Sequence, residues 1–111
     1  MQMVCVVLNK TELLKDLLTN LKLIGVNGGT ILDSQGMISY LHDSNESQLL
    51  DSIIHFLDQI RLDSKTMFFI VKEEQLDIIF ETIDKTLGGI DNHHTGIAFS
   101  LPLGRVYGIL K

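Results

Sequence analysis

Twice in this chain a short apolar run is followed at once by helical periodicity, and that pairing limits the folds open to it. Residues 3–8, MVCVVL, form a continuous Val-rich run that reads as a strand buried on both faces. Asn9 and Glu12 then stand three apart, as a capping box requires. Leu13, Leu14, Leu17, Leu18 and Leu21 repeat at helical spacing, Lys22 suits a last turn and Gly25 suits a stop. This predicts a helix over about residues 10–24. The pattern returns at residues 66–71, a strongly β-prone run. There Glu73 and Glu74 suit a helix N-terminus, Leu76, Ile79, Phe80, Ile83 and Leu87 make a stripe, and Gly88-Gly89 ends it.

Between the two pairs the signals are weaker. Thr30-Ile31-Leu32 reads as a short strand among glycines, closed by Gly36, and residues 37–46 read as a polar loop. Leu49, Leu50, Ile53, Ile54, Phe56, Leu57 and Ile60 predict an amphipathic helix over about 46–60, capped by Ser44 or Asn45. Residues 61–65 read as a turn. After a glycine-rich polar loop, residues 96–101 form the last strand, and residues 105–110 extend it or pair with a neighbour.

The resulting order, β-α-β-(α)-β-α-β, fits two architectures: a doubly wound parallel sheet or a split βαβ sheet. The stretch after the first strand, NKTELL, holds no glycine and so no phosphate-binding fingerprint. The expected fold is therefore α+β, a ferredoxin-like βαββαβ sandwich with an extra helix inserted between strands 2 and 3. Its 111 residues make a single domain, 1–111.

Composition excludes several roles. A net charge of −5 with scattered basic residues argues against nucleic acid as a partner. The apolar runs are too short to span a bilayer, and the N-terminus lacks the pattern of a signal peptide, so a cytoplasmic protein is expected. Cys5 is the only cysteine and its apolar run predicts a small buried core residue. No nucleophile, base and carboxylate stand in a catalytic arrangement, so the chain is not expected to be an enzyme. The histidines His42, His55, His93 and His94 lack metal-ligand spacing, and the His93-His94 pair reads as a solvated loop.

Three stretches resemble the nitrogen-regulatory P-II signalling superfamily, across nearly the whole length: residues 3–37, residues 65–89, and HTGIAFSLPLGRVYGI near the C-terminus. The most specific parts are Gly36-Met37 and the closing TGIAFSLPLGRVYG. The resemblance implies a homotrimer that binds a small-molecule effector, an adenine nucleotide among the family's ligands, in clefts between subunits, and that regulates a protein target. It implies that the cleft joins the loop after strand 2, the glycine-rich loop before strand 4 and the C-terminal segment of a neighbouring subunit. The site residues this implies are Gly36, Met37, Gly89, Thr95, Gly96 and Arg105. Arg105 would pair with an anionic group and the glycines would offer backbone amides.

The departures from the family pattern are specific. Where those regulators carry a long mobile arm, residues 38–64 read mostly as a helix with an apolar face, and Tyr40 lacks the surroundings of a modification site. The lysine that ends the family's Gly-Asp-Gly-Lys loop is absent at His93-His94-Thr95-Gly96. In the Arg-x-Arg pair after strand 4, Arg105 fills the first position and Tyr107 the second. This chain is closer to the P-II-like proteins without the long arm.

Each feature also has a plainer reading. Gly88, Gly89 and Gly96 serve a helix C-cap and a strand start. Asp33, Ser34 and Gln35 either line the cleft or make turn hydrogen bonds to their own backbone. The residues by themselves call for no cofactor. Two alternatives to a sensor stay open: a trimeric structural or protein-interaction module without a small ligand, and a metal-handling trimer like the divalent-cation tolerance proteins.

Overall fold

The computed structural model describes residues 1–43, 63–89 and 95–108. Strand β1 spans Gln2–Leu8, a 3-10 turn spans Thr11–Leu13 and helix α1 spans Leu14–Leu23. Strand β2 is Thr30–Gln35 and helix α2 is Met37–Asp43. Strand β3, Asp63–Val71, leads through a 3-10 turn at Glu73–Gln75 into helix α3, Leu76–Thr86, and β4 closes the order at Gly96–Pro102. The four strands form one sheet in the order β2-β3-β1-β4, and every neighbouring pair is antiparallel. That is the split βαβ, ferredoxin-like arrangement: β3 lies between β1 and β2, and β1 lies between β3 and β4. The doubly wound alternative needs parallel neighbours and is excluded.

Burial along β1 alternates. Val4, Val6 and Leu8 are fully buried, whereas Met3, Cys5 and Val7 are only half-buried. The expectation of a strand buried on both faces is corrected, because the helices cover one face of the sheet. On that face Val4 stands opposite Phe69 and Val6 opposite Met67. Leu17 and Leu21 of α1 and Ile79 and Ile83 of α3 complete the core with them. Cys5 is thereby corrected too: it lies on the other face, in register with Phe68 on one side and Phe99 on the other.

The helix ends follow the glycines. Gly25 stops α1 at φ 104°, and Gly88 and Gly89 stop α3 at φ 91° and 95°, in the left-handed region that costs other residues strain. The Gly89 N–H donates to the Asp84 carbonyl at 2.8 Å, closing the last turn of α3. At the other end of α3, the Lys72 N–H donates to Gln75 Oε1 at 3.0 Å. The capping box expected from Asn9 and Glu12 does not form the start of α1: Lys10 takes the cap position, with no side-chain cap bond. The N–H groups of Asn9 and Lys10 donate to the Thr95 carbonyl at 2.8 and 3.2 Å, which ties the end of β1 to the chain ahead of β4.

Two segments expected to be irregular are regular. Residues 33–35 and 63–65 pair with each other and lengthen β2 and β3 beyond their apolar runs. Their polar side chains find partners across the strands: Thr66 Oγ1 donates to Ser34 Oγ at 2.8 Å, Ser34 and Ser64 share a hydroxyl bond at 2.7 Å, and Lys65 pairs with Asp33. Residues 37–43, expected as loop, form α2. The Tyr40 N–H donates to the Gly36 carbonyl at 2.9 Å, and Gln35 Nε2 donates to the buried Ser39 hydroxyl at 3.2 Å. The helix expected over 46–60 lies outside the described residues, as do His55, His93 and His94. Residues 105–108 form no strand. Among the described residues no helix is long and apolar enough to cross a membrane.

Candidate functional site

The antiparallel register sorts the six expected site residues into two groups. Leu8 pairs with Gly96 on one side and Lys65 on the other, and Lys65 pairs with Asp33. That row crosses the sheet at one end, and five of the six residues are tied to that end. Gly96 lies in the row and Thr95 precedes it. Gly89 terminates α3 at the start of the connection to β4. Gly36 and Met37 follow the last pair of β2, Gln35 with Asp63. The row from β2 to β4 spans three strand spacings, about 14 Å.

Arg105 belongs to the other end. Strand β4 runs the length of β1 to the pair Gln2–Pro102, which is six residue steps or about 20 Å from Gly96. The Leu103 N–H then donates to the Met1 carbonyl at 3.1 Å and fixes the exit of the chain there. Arg105 is exposed. One copy of this chain therefore does not bring Arg105 to the glycines.

Within the first group the side chains differ in character. Thr95 is 2% exposed, and its Oγ1 is buried without a hydrogen-bond partner among the described residues. Met37 is 74% exposed at the first turn of α2. A Cβ on Gly36 or Gly89 would meet nothing within 4 Å, so both leave open space beside the backbone. Gly96 is different: a Cβ there would stand 2.6 Å from the Val7 carbonyl oxygen. Strand packing by itself accounts for that glycine. Asp33, Ser34 and Gln35 sit in strand β2 and make cross-strand and α2 contacts, which overturns the reading of them as a turn.

A groove of about 1100 Å³ opens at the Arg105 end, and none of the six residues lines it. Its walls are the connection 25–30, Phe68 and Ile70 of β3, Lys72, Glu74 and Gly108. Sequence reasoning missed it because the walls come from four separate parts of the chain. The glycines at 28 and 29 were its only signal. A Cβ on Gly29 would lie 2.4 Å from the Phe69 ring, so this connection packs directly onto the sheet.

The face of the sheet away from the helices is the other conspicuous surface. Met3, Cys5 and Val7 of β1, Phe68 and Ile70 of β3 and Leu32 of β2 share it with Ile97, Phe99 and Leu101 of β4. Ile97 is 60% exposed and Phe99 is 44% exposed. The described part of the chain covers this face with no helix. Among the described residues no group of three or more His, Cys, Asp or Glu is placed to hold a metal ion.

No family model matches this sequence, and no curated protein matches it. A solved structure does: the crystal structure of Arabidopsis thaliana PII bound to citrate. The two share 19% sequence identity at a TM-score of 0.62, over 92% of this chain and 76% of that one. At that identity the likeness is one of fold, and it agrees with the strand order and the antiparallel register. The chain has the ferredoxin-like fold of a PII protein.

Proposed function

We propose that this protein is a PII-like regulatory protein and not an enzyme: a single-domain, cytoplasmic homotrimer that takes a small ligand in the clefts between protomers and signals to a protein partner. The observation that carries this reading is the apolar sheet face that no described helix covers. Exposed Ile97, Phe99, Leu101, Ile70 and Leu32 on one contiguous surface are costly in water and are relieved by burial against copies of the same chain. The division of the candidate residues between two ends of the sheet supports the same reading. A cleft uniting Gly36, Met37, Gly89, Thr95 and Gly96 with Arg105 needs the Arg105 end of a second protomer. The citrate of the Arabidopsis structure belongs to that protein. For this chain an adenine nucleotide is the first ligand to test.

A second reading has one observation in its favour. With Tyr107 in place of a second arginine, Arg105 is the only cation of residues 95–108. A trimer that binds a protein and no small molecule needs no more.

Light scattering and titration calorimetry separate the two. The calorimetric panel holds ATP, ADP, AMP, cyclic dinucleotides and 2-oxoglutarate, each with and without magnesium. A trimer with a low-micromolar dissociation constant, about −8 kcal/mol, and an Arg105→Ala variant that stays trimeric and silent, support the sensor. A trimer silent across the panel supports the interaction module. A monomer at micromolar concentration overturns both.

A further inference from the structure

The chain has five asparagines, Asn9, Asn20, Asn27, Asn45 and Asn92, and only Asn27 is followed by glycine. The order of those two residues matters chemically. The main-chain nitrogen after an asparagine is placed to attack the side-chain carbonyl carbon. Glycine, with no Cβ, hinders that attack least and reaches the required backbone angles most readily. Folded chains suppress the reaction by engaging the N–H or the side-chain amide in hydrogen bonds.

The connection from α1 to β2 is pinned on both sides of this pair. Val26 is buried, and its N–H donates to the Leu21 carbonyl at 3.0 Å. Gly29 lies so close to the Phe69 ring that a Cβ there would collide with it, and Thr30 follows in register with Phe68. Between these anchors Asn27 and Gly28 are exposed and belong to no helix or strand. Among the described residues neither of them makes a hydrogen bond. A Cβ on Gly28 would meet nothing within 4 Å, so no neighbour restrains its movement. Asn20 is the contrast: it lies inside α1, and its Nδ2 donates to Thr86 Oγ1 at 2.9 Å.

From this geometry we infer that Asn27-Gly28 is a modification site, where the chain deamidates itself on the wall of the groove. The Gly28 nitrogen gives up its proton to water or hydroxide and attacks Asn27 Cγ. The N–Cγ bond forms, the Cγ–Nδ2 bond breaks, and ammonia leaves with a proton taken back from water. The product is a five-membered succinimide, and nothing is oxidised or reduced. Water then opens the ring. Attack at Cγ leaves aspartate at position 27. Attack at the main-chain carbonyl carbon leaves the chain running through Cγ, an isoaspartyl linkage one carbon longer. Either product adds a negative charge to the wall that Asn27 shares with Lys72 and Glu74. The isoaspartyl form also lengthens a connection whose ends are fixed at Val26 and Gly29.

The test incubates the full chain at neutral and at mildly alkaline pH and follows each asparagine-bearing peptide by mass spectrometry. Isoaspartate is read with an isoaspartyl methyltransferase and labelled S-adenosylmethionine. Expected is the mass gain of an amide turned into an acid, at Asn27 before any other asparagine and faster at the higher pH. The product is a mixture of aspartate and isoaspartate, the mark of a succinimide. Gly28→Ala fits the open space at that position and slows the gain about tenfold, because the added Cβ hinders the attack. Asn27→Gln would have to close a six-membered ring and stays unmodified over the same time. A native chain that stays unmodified at Asn27 overturns the inference; reaction of the same peptide in guanidinium chloride would then show that the fold protects it. Another asparagine reacting first in the native chain, or Gly28→Ala reacting as fast as the parent, overturns it as well.

Discussion

Gly96 illustrates how one residue can belong both to a strand and to a candidate site. A Cβ at this position would sit 2.6 Å from a backbone oxygen of β1, and backbone has little room to yield. Gly96→Ala should therefore lower stability by about 1–3 kcal/mol, read as a drop in denaturant midpoint at unchanged slope. An unchanged midpoint would mean that β1 and β4 separate more easily than their register implies. Thr95, its neighbour, should behave in the opposite way. Its hydroxyl is buried with no partner among the described residues, so Thr95→Val removes a desolvated polar atom at nearly constant volume. The variant should be as stable as the parent or slightly more so. If it also loses ligand binding measured by calorimetry, the hydroxyl belongs to the site; if it keeps binding, the hydroxyl is an unused core group.

At the scale of elements, β2 and β3 are longer than their apolar patterns. The lengthened part is polar, and it holds because Ser34, Ser64 and Thr66 bond one another across the strands while Lys65 pairs with Asp33. Hydroxyl bonds of this kind contribute about 1 kcal/mol each. A double-mutant cycle on Ser34→Ala and Thr66→Val should give a coupling energy near that value. A coupling of zero would mean that main-chain pairing alone holds the lengthened strands. Helix α2 teaches the same lesson. Its sequence, MISYLHD, carries no strong helical stripe, and residues 37–43 read as loop. The chain becomes helical where β2 ends, with the Gly36 carbonyl accepting the first hydrogen bond and Gln35 reaching forward to Ser39.

At the scale of the whole molecule, the proposed trimer puts its interface on the sheet face away from the helices. Phe99→Lys puts a charge in the middle of that face, and on the proposed assembly light scattering should report a trimer for the parent and monomers for the variant. Cys5 offers an independent check on the same surface. It is half-exposed in one protomer and stands between Phe68 and Phe99. In the proposed trimer its thiol should resist alkylation, and in Phe99→Lys it should react. Rapid labelling of the parent would show that the face stays open and that protomers meet elsewhere, which would remove the proposed cleft.

The sequence alone determined the four strands, the two helices that follow β1 and β3, and the glycines that end those helices. Each rests on interactions within a few residues: alternation, helical periodicity and a positive φ that glycine tolerates. Leu17, Leu21, Ile79 and Ile83, which the helical stripes include, are core residues. Only the tertiary structure decided which face of β1 is covered, and with it the position of Cys5, because a run of apolar residues looks alike whether one or both sides are packed. It also decided the polar ends of β2 and β3, the bonds from Asn9 and Lys10 to the Thr95 carbonyl, and the groove that Gly108 lines. These depend on partners tens of residues away in the chain. The candidate site was legible as residue types, and its division between two ends of the sheet was not, because the antiparallel register sets the distance from Gly96 to Arg105.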